Sequence, residues 1–317
     1  MDEKVLGLFA GVGGIETGFA QAGFKPVFAN EMNKQAAITY RANYTHPLLE
    51  GDINDIVSAE LPNHDILTGG FPCQPFSIAG LRQGFNDAKG RGNVFFKIME
   101  IIETKKPSVV LLENVKNLVT HDNGNTFKVI QETLEAAGYH IHAKVLNAKD
   151  HGNIPQNRER IFIVGFRDKA HSDKFTFPEV IPLTTKLSDL IDFSAKVDDK
   201  FYYTEEKNSF YSMLTPTINQ KNTIYQWRRK YVRENKSGVS PTLTANMGTG
   251  GHNVPLIYTD HGIRKLTPRE CFNLMGFPQD LVMPTELAIS HLYKQAGNAV
   301  VVPVVKRIAE QIKLAIS

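Results

Sequence analysis

The chain has 317 residues, 42% of them hydrophobic and 22% charged, an ordinary globular composition with room for one large domain and a smaller one. No apolar run reaches the length of a membrane span, so neither a span nor a signal peptide is expected. A net charge of +3 is too mild to mark nucleic-acid binding by itself. The two cysteines, Cys73 and Cys271, form no zinc-type cluster, so no metal is expected and a reducing, cytoplasmic setting fits.

Short apolar runs at 4–10, 25–31, 64–70, 107–114, 141–148 and 160–166 read as strands. Between them IETGFAQAG, NKQAAITYRANY, NVFFKIMEIIETKK and TFKVIQETLEAAG carry helical spacing. Strands apolar on both faces and joined by helices predict an α/β fold with a doubly wound, mostly parallel sheet. Ligands of such sheets sit beyond the carboxyl ends of the strands.

From about 168 to 262 the rhythm breaks into polar, aromatic and glycine-rich stretches, which predicts a second, smaller and irregular domain. A helix restarts at TPRECFNLMGF, where Thr267 and Glu270 form a capping box around Pro268. The segment 299–316 reads as an amphipathic helix that packs back on the sheet. The division expected is 1–175 plus 290–317 against 176–289.

The first turn, LFAGVGGIETGF, joins a strand to a helix through glycines, the arrangement that brings backbone amides to a nucleotide-like ligand. Phe9, Ala10, Gly11, Gly13, Gly14 and Ile15 are its candidate contacts. Counting GxGxxG from Gly11 puts Glu16 where the third glycine belongs, and a negative side chain there would repel a pyrophosphate. Glu31, about twenty residues on and followed by Met32, suits a ribose diol. Asp52, followed by Ile53, suits an adenine amino group. Together they fit an adenosyl ligand with a cationic sulfur, S-adenosylmethionine.

GGFPCQPFS holds Cys73 between two prolines, where a thiol is either a packed small hydrophobe or a nucleophile. LLENVKNL, QNRERIFIVGF, RKLTPRECFNLMGFP and YKQAGNAVVVPVV follow it in order. With LFAGVGG, ANEMNK and GDI before them, these segments resemble the DNA cytosine-5 methyltransferases over nearly the whole chain. Two residues depart from the pattern: Gly7 stands where many members carry Asp, and Ala299 where a Ser is common.

The resemblance implies a Rossmann-like methyltransferase core and a target-recognition domain. It makes Cys73 the thiolate that adds to C6 of cytosine, with Glu113 on the base's N4 and N3 side and Asn114 positioning the loop. Arg158 would neutralise the O2 side and Arg160 would brace the site. Pro72, Asn298 and Ala299 join the cofactor contacts. The target base must leave the duplex, and Gln74, Ser77, Arg82, Lys89 and Arg91 would contact DNA from a closing loop. Arg228, Arg229, Arg233 and Thr242 would contact it from the irregular domain.

The partner expected is double-stranded DNA, with no membrane or metal partner. A monomer is expected, with a cognate endonuclease acting separately. Alternatives are a tRNA cytosine-5 methyltransferase, whose CFT tripeptide is absent from 168–262, and an inactive DNA-binding homologue.

Overall fold

A computed structural model describes residues 3–72, 94–228, 230–248 and 254–317. The chain divides into two compact units: residues 1–146, 159–178 and 305–317, and residues 147–158 and 179–304. The contact boundaries thus fall at 178/179 and 304/305, against 175/176 and 289/290 expected, and 147–158 joins the second unit.

The strands in chain order are β1 (Lys4–Leu8), β2 (Lys25–Glu31), β3 (Leu48–Glu50), β4 (Ile66–Gly70), β5 (Val109–Val115), β6 (His140–Asn147), β7 (Gln156–Asn157) and β8 (Glu159–Phe166). The first unit is built on a seven-stranded sheet in the order β3-β2-β1-β4-β5-β8-β6. The pairs β1–β2, β1–β4, β2–β3 and β4–β5 are parallel, and β5–β8 is antiparallel.

The order reverses between β1 and β4. This is the switch point at which the ends of parallel strands leave a crevice. Pro26, which lacks a ladder N–H, sits where the β1–β2 register shifts, so the bulge absorbs it.

Helices α1 (Gly14–Gln21), α2 (Lys34–Asn43), α3 (Val94–Lys105) and α4 (Asn125–Ala136) fill the expected crossover positions. α2 begins at Asn33, whose side chain accepts from the Ala36 amide. Leu6, Leu8, Leu67, Leu112, Phe95 and Ile98 belong to one buried cluster of this unit. The amphipathic segment expected at 299–316 is a helix over Val302–Ile316. Its Val305, Ile308, Ala309, Ile312 and Ala315 are buried, a single helical stripe. Lys313 Nζ on the same helix donates to the carbonyls of Ala22 and Gly23, closing the C-terminal end of α1.

In the second unit β9 (Ile224–Trp227), β10 (Val232–Asn235), β12 (Leu256–Thr259) and β13 (Gly262–Lys265) form a four-stranded sheet in the order β10-β9-β12-β13, whose pairings are antiparallel. β11 (Ser240–Pro241) pairs in parallel with β7. Tyr225, Leu256 and Ile263 pack with Leu214 and Ile218 on one side of the sheet. The capping box at Thr267 and Glu270 forms as expected, with Pro268 in the first turn. Glu270 also makes a bidentate pair with the fully buried Arg264, both oxygens at 2.7 Å.

Candidate active site and nucleic-acid face

In the first unit, the turn after β1 is shaped by left-handed backbone. Phe9, Gly11 and Gly13 have φ of 55°, 58° and 83°. At Gly13 a side-chain carbon would also strike the Tyr44 ring, so only glycine fits there. Beside Gly11 the space is open, with no atom of the described residues within 4 Å of where a Cβ would lie. Gly14 and Ile15 enter α1, and Ala10 is tied by its amide to the Asn30 carbonyl.

Glu31 ends β2 and locks the turn. One carboxylate oxygen accepts the Gly11 amide and the other the Asn33 amide, each at 2.7 Å. A carboxylate offers about four acceptor positions, so a ribose diol can still be bound. Met32 is 63% exposed, an apolar side chain left uncovered next to that carboxylate in sequence. Asp52 caps the short helix Ile53–Asp55 by accepting the Asn54 amide, and Ile53 is buried beneath. An open glycine turn, a carboxylate with acceptor capacity left and an exposed acid are compatible with the adenosyl part of S-adenosylmethionine.

Glu16 behaves otherwise than expected. Its side chain is buried, with Oε1 lying where a side chain on Gly7 would be and Oε2 without a partner among the described residues. Burial raises its carboxyl to about 8, a backbone hydrogen bond opposes this, and the charge of Glu31 adds to it. Glu16 is therefore not a surface charge that repels phosphate, which corrects the expectation drawn from its place in the glycine pattern. The absence of an Asp at position 7 also gains a reason, since Glu16 fills that space.

At the carboxyl ends of β4 and β5, Glu113 is buried and pairs in register with Gly70. Its Oε1 lies 3.1 Å from Arg160 Nε on β8. Asn114 is buried, accepts its own neighbour's amide (Val115), and donates from Nδ2 to the Phe71 carbonyl at 2.9 Å. That bond fixes the backbone two residues before Cys73. Pro72 is exposed. Cys73 itself, with Gln74, Ser77, Arg82, Lys89, Arg91 and Arg229, lies outside the described residues.

Arg158 is in the second unit and nearly fully buried. Its guanidinium donates to the carbonyls of Leu243 at 2.7 Å, Gly297 at 3.0 Å and Ala299 at 2.7 Å. The two arginines therefore have different partners. Arg158 is held by backbone carbonyls, and Arg160 is the one that meets Glu113. Asn298 is exposed at the end of the helix Ile289–Asn298, and Ala299 follows it as an acceptor for Arg158.

Gln156, which sequence reasoning missed, completes this knot. It is buried, donates to the Leu274 carbonyl and accepts the Leu243 amide. Its signal was its place at the head of QNRERIF.

The second unit also carries a cleft of about 830 Å³. Gln226, Arg228, Arg233 and Asn235 line it, and so do Thr242 and Asn157. Thr242 Oγ1 donates to the Asn157 carbonyl at 2.6 Å. Three of the expected DNA contacts, Arg228, Arg233 and Thr242, therefore share one concave surface. Cys271, by contrast, is buried in a helix, and burial pushes its thiol well up, as suits an inert packing residue.

The C-5 cytosine-specific DNA methylase family model matches residues 4–314. The chain is 62% identical over 310 residues to the Type II methyltransferase M.Bsp6I of Bacillus sp. (strain RFL6), covering 98% of each chain. It is 42% identical to M.HaeII of Haemophilus aegyptius (96% of this chain, 91% of that one) and 38% identical to M.HhaI of Haemophilus parahaemolyticus (98% and 94%). The fold matches a crystal structure of a Spodoptera frugiperda DNMT2 mutant with a TM-score of 0.73 at 20% identity, over 100% of both chains. With the site geometry and these matches together, the chain belongs to the C-5 cytosine-specific DNA methylases, enzymes whose methyl donor is S-adenosylmethionine.

Proposed function

We propose that this enzyme methylates C5 of one cytosine in a short specific duplex site, as the modification half of a Type II restriction–modification pair. A separate endonuclease would read the same site, and this enzyme would act in the cytoplasm as a monomer. Residues 1–175 with 290–317 would carry the chemistry and 176–289 the recognition of the target.

C5 of cytosine is too weakly nucleophilic to be methylated directly. The Cys73 thiolate adds to C6, and the ring's electron pair moves toward N3. Glu113 holds the N4 amino group and passes a proton to N3, and the Arg160 guanidinium complements the carboxylate that this leaves. C5 is then an enamine carbon. S-adenosylmethionine, held by the glycine turn with Glu31, Met32, Asp52 and Ile53, supplies an electrophilic methyl group on a cationic sulfur. The N3 proton returns to Glu113, and loss of the C5 proton to a base returns the electron pair and expels Cys73 from C6 as the thiolate. A stacked cytosine cannot present C6 to a thiol in this way, so the base is extruded from the duplex.

The observation that carries this reading is the bond from Asn114 to the Phe71 carbonyl beside the Glu113–Arg160 pair. It fixes the backbone two residues ahead of Cys73, at the ends of neighbouring strands. The test is a duplex with 5-fluorocytosine at the methylated position. Fluorine at C5 cannot leave as a proton does, so wild-type protein with S-adenosylmethionine should be retained as a covalent complex on a denaturing gel, and Cys73→Ser should not. Label entering tRNA and not DNA, or trapping by Cys73→Ser, would overturn the proposal.

A further inference from the structure

Strand β9 places two different side-chain sets on its two faces. Tyr225 and Trp227 pack with the apolar cluster, and Trp227, which also borders the cleft, stacks on Phe210 with ring centroids 3.9 Å apart and an interplanar angle of 15°. Gln226 alternates with them and is the direct cross-strand partner of Arg233 on β10. Arg228 follows directly after the strand, in the hairpin turn. Its amide donates to the Tyr231 carbonyl as the hairpin turns.

The side chains of Gln226 and Arg228 are bonded to one another. Arg228 Nη2 donates to Gln226 Oε1 at 3.1 Å. Both line the cleft, with Arg233 and Asn235. This contact has two chemical consequences. It biases the guanidinium, on its long flexible stem, toward one orientation, which matters for a bidentate contact more than for a phosphate contact. The Gln226 carboxamide, with one lone pair of its oxygen engaged by Arg228, sets its amino group beside the guanidinium. The guanidinium itself offers donors and no acceptor.

In the major groove, guanine presents two acceptors, N7 and O6, and cytosine presents a donor amine. The donor-only guanidinium of Arg228 matches the first and is mismatched with the second. We propose that Arg228, oriented by Gln226, reads a guanine of the target site through its N7 and O6. Gln226 is thus a positioning residue for specificity, assigned by its bond to Arg228. Trp227, locked on Phe210, supplies the rigid strand from which both project. The assignment rests on the proposed duplex DNA substrate.

The test is methylation of a library of randomised duplexes by wild type, Gln226→Ala and Arg228→Ala, with modified cytosines mapped by bisulfite sequencing. A second arm replaces each guanine of the preferred site in turn by 7-deazaguanine, which lacks only the N7 acceptor. Wild type should show a strict guanine at one position that both variants relax, by about five- to hundredfold in preference ratio. At that same guanine, 7-deazaguanine should slow wild type and leave Arg228→Ala no slower than it already is. Gln226→Glu, which retains the acceptor for Arg228, should restore most of the preference that Gln226→Ala loses.

Unchanged preference at every guanine in Arg228→Ala would overturn the assignment, and so would additive slowing by 7-deazaguanine in that variant. Equal preference in Gln226→Ala and wild type would overturn the role of Gln226. A wild type that modifies no duplex at all would instead overturn the substrate reading beneath it.

Discussion

Arg160 Nε lies 3.1 Å from Glu113 Oε1 across the antiparallel β5–β8 pair, with both side chains mostly buried. The pair sits at strand ends where the sheet presents ligand-facing groups. If Glu113 moves a proton at the ring, Glu113→Gln should lower kcat by about 10²- to 10⁴-fold, the range of a lost general acid–base group. Arg160→Met removes one charge-assisted bond of about 1.5–3 kcal/mol and should lower kcat roughly ten- to hundredfold. Single-turnover methyl transfer at saturating DNA measures both. Equal rates in Arg160→Met and wild type would exclude a part for this pair in the chemistry.

Glu16 should make stability depend on pH with a sign opposite to that of an ordinary carboxylate. Its carboxyl is raised from 4.5 to about 8 by burial, so the folded state holds a proton that the unfolded chain has lost. The contribution is complete below 4.5, declines as pH rises toward 8, and is fully lost above it. Over that whole window the change is on the order of 4–5 kcal/mol. Glu16→Gln keeps the shape and cannot ionise. Urea unfolding of both proteins at about pH 6, 7 and 8.5, across the upper part of that window, should show the variant gaining on wild type as pH rises. Parallel profiles would mean that the carboxyl stays ionised when buried.

Much of the first unit could be read before any coordinates, for a physical reason. KPVFANE is bounded by glycine and a helix cap, and its strand runs from Lys25 to Glu31 as read. What was hidden depends on partners distant in sequence. β3 is only three residues long, too short to show a period. β8 is apolar on both faces, and RIFIVGF reads the same whichever way the strand runs, so its antiparallel direction is a tertiary outcome.

The two arginines of QNRERIF show the same limit. One chain position separates the residues that join different compact units, and only the folded chain decides which guanidinium meets carbonyls and which meets Glu113. Gln226 was passed over because a glutamine beside tryptophan and arginines carries no motif. Its interest lies in the bond to Arg228.

The buried pair between Arg264 and Glu270 should be a point of stability in the second unit. Both carboxylate oxygens are taken by the guanidinium, and one also accepts the Thr267 amide that opens the capped helix. Arg264→Met should cost about 3–5 kcal/mol, because Glu270 is left buried without its countercharge. Arg264→Met/Glu270→Leu should recover part of this loss, less the cap, which is worth about 1 kcal/mol. Urea midpoints for the two variants test the order. A single variant no less stable than the double would show that the charge is not what matters.

Arg158 and Arg160 can be told apart by which kinetic constant responds. Arg158 gathers three carbonyls, those of Leu243, Gly297 and Ala299, and the first of them follows Thr242 at the wall of the cleft. Lysine is a point charge without the planar fork and cannot hold three acceptors in that arrangement. Arg158→Lys should therefore loosen the Thr242 strip, raising KM for DNA about tenfold while the single-turnover rate at saturating DNA falls far less than in Arg160→Met. It should also lower the unfolding midpoint, because buried carbonyls lose their donors. A kcat loss in Arg158→Lys as large as that in Arg160→Met, with KM unchanged, would give Arg158 a part in the chemistry itself.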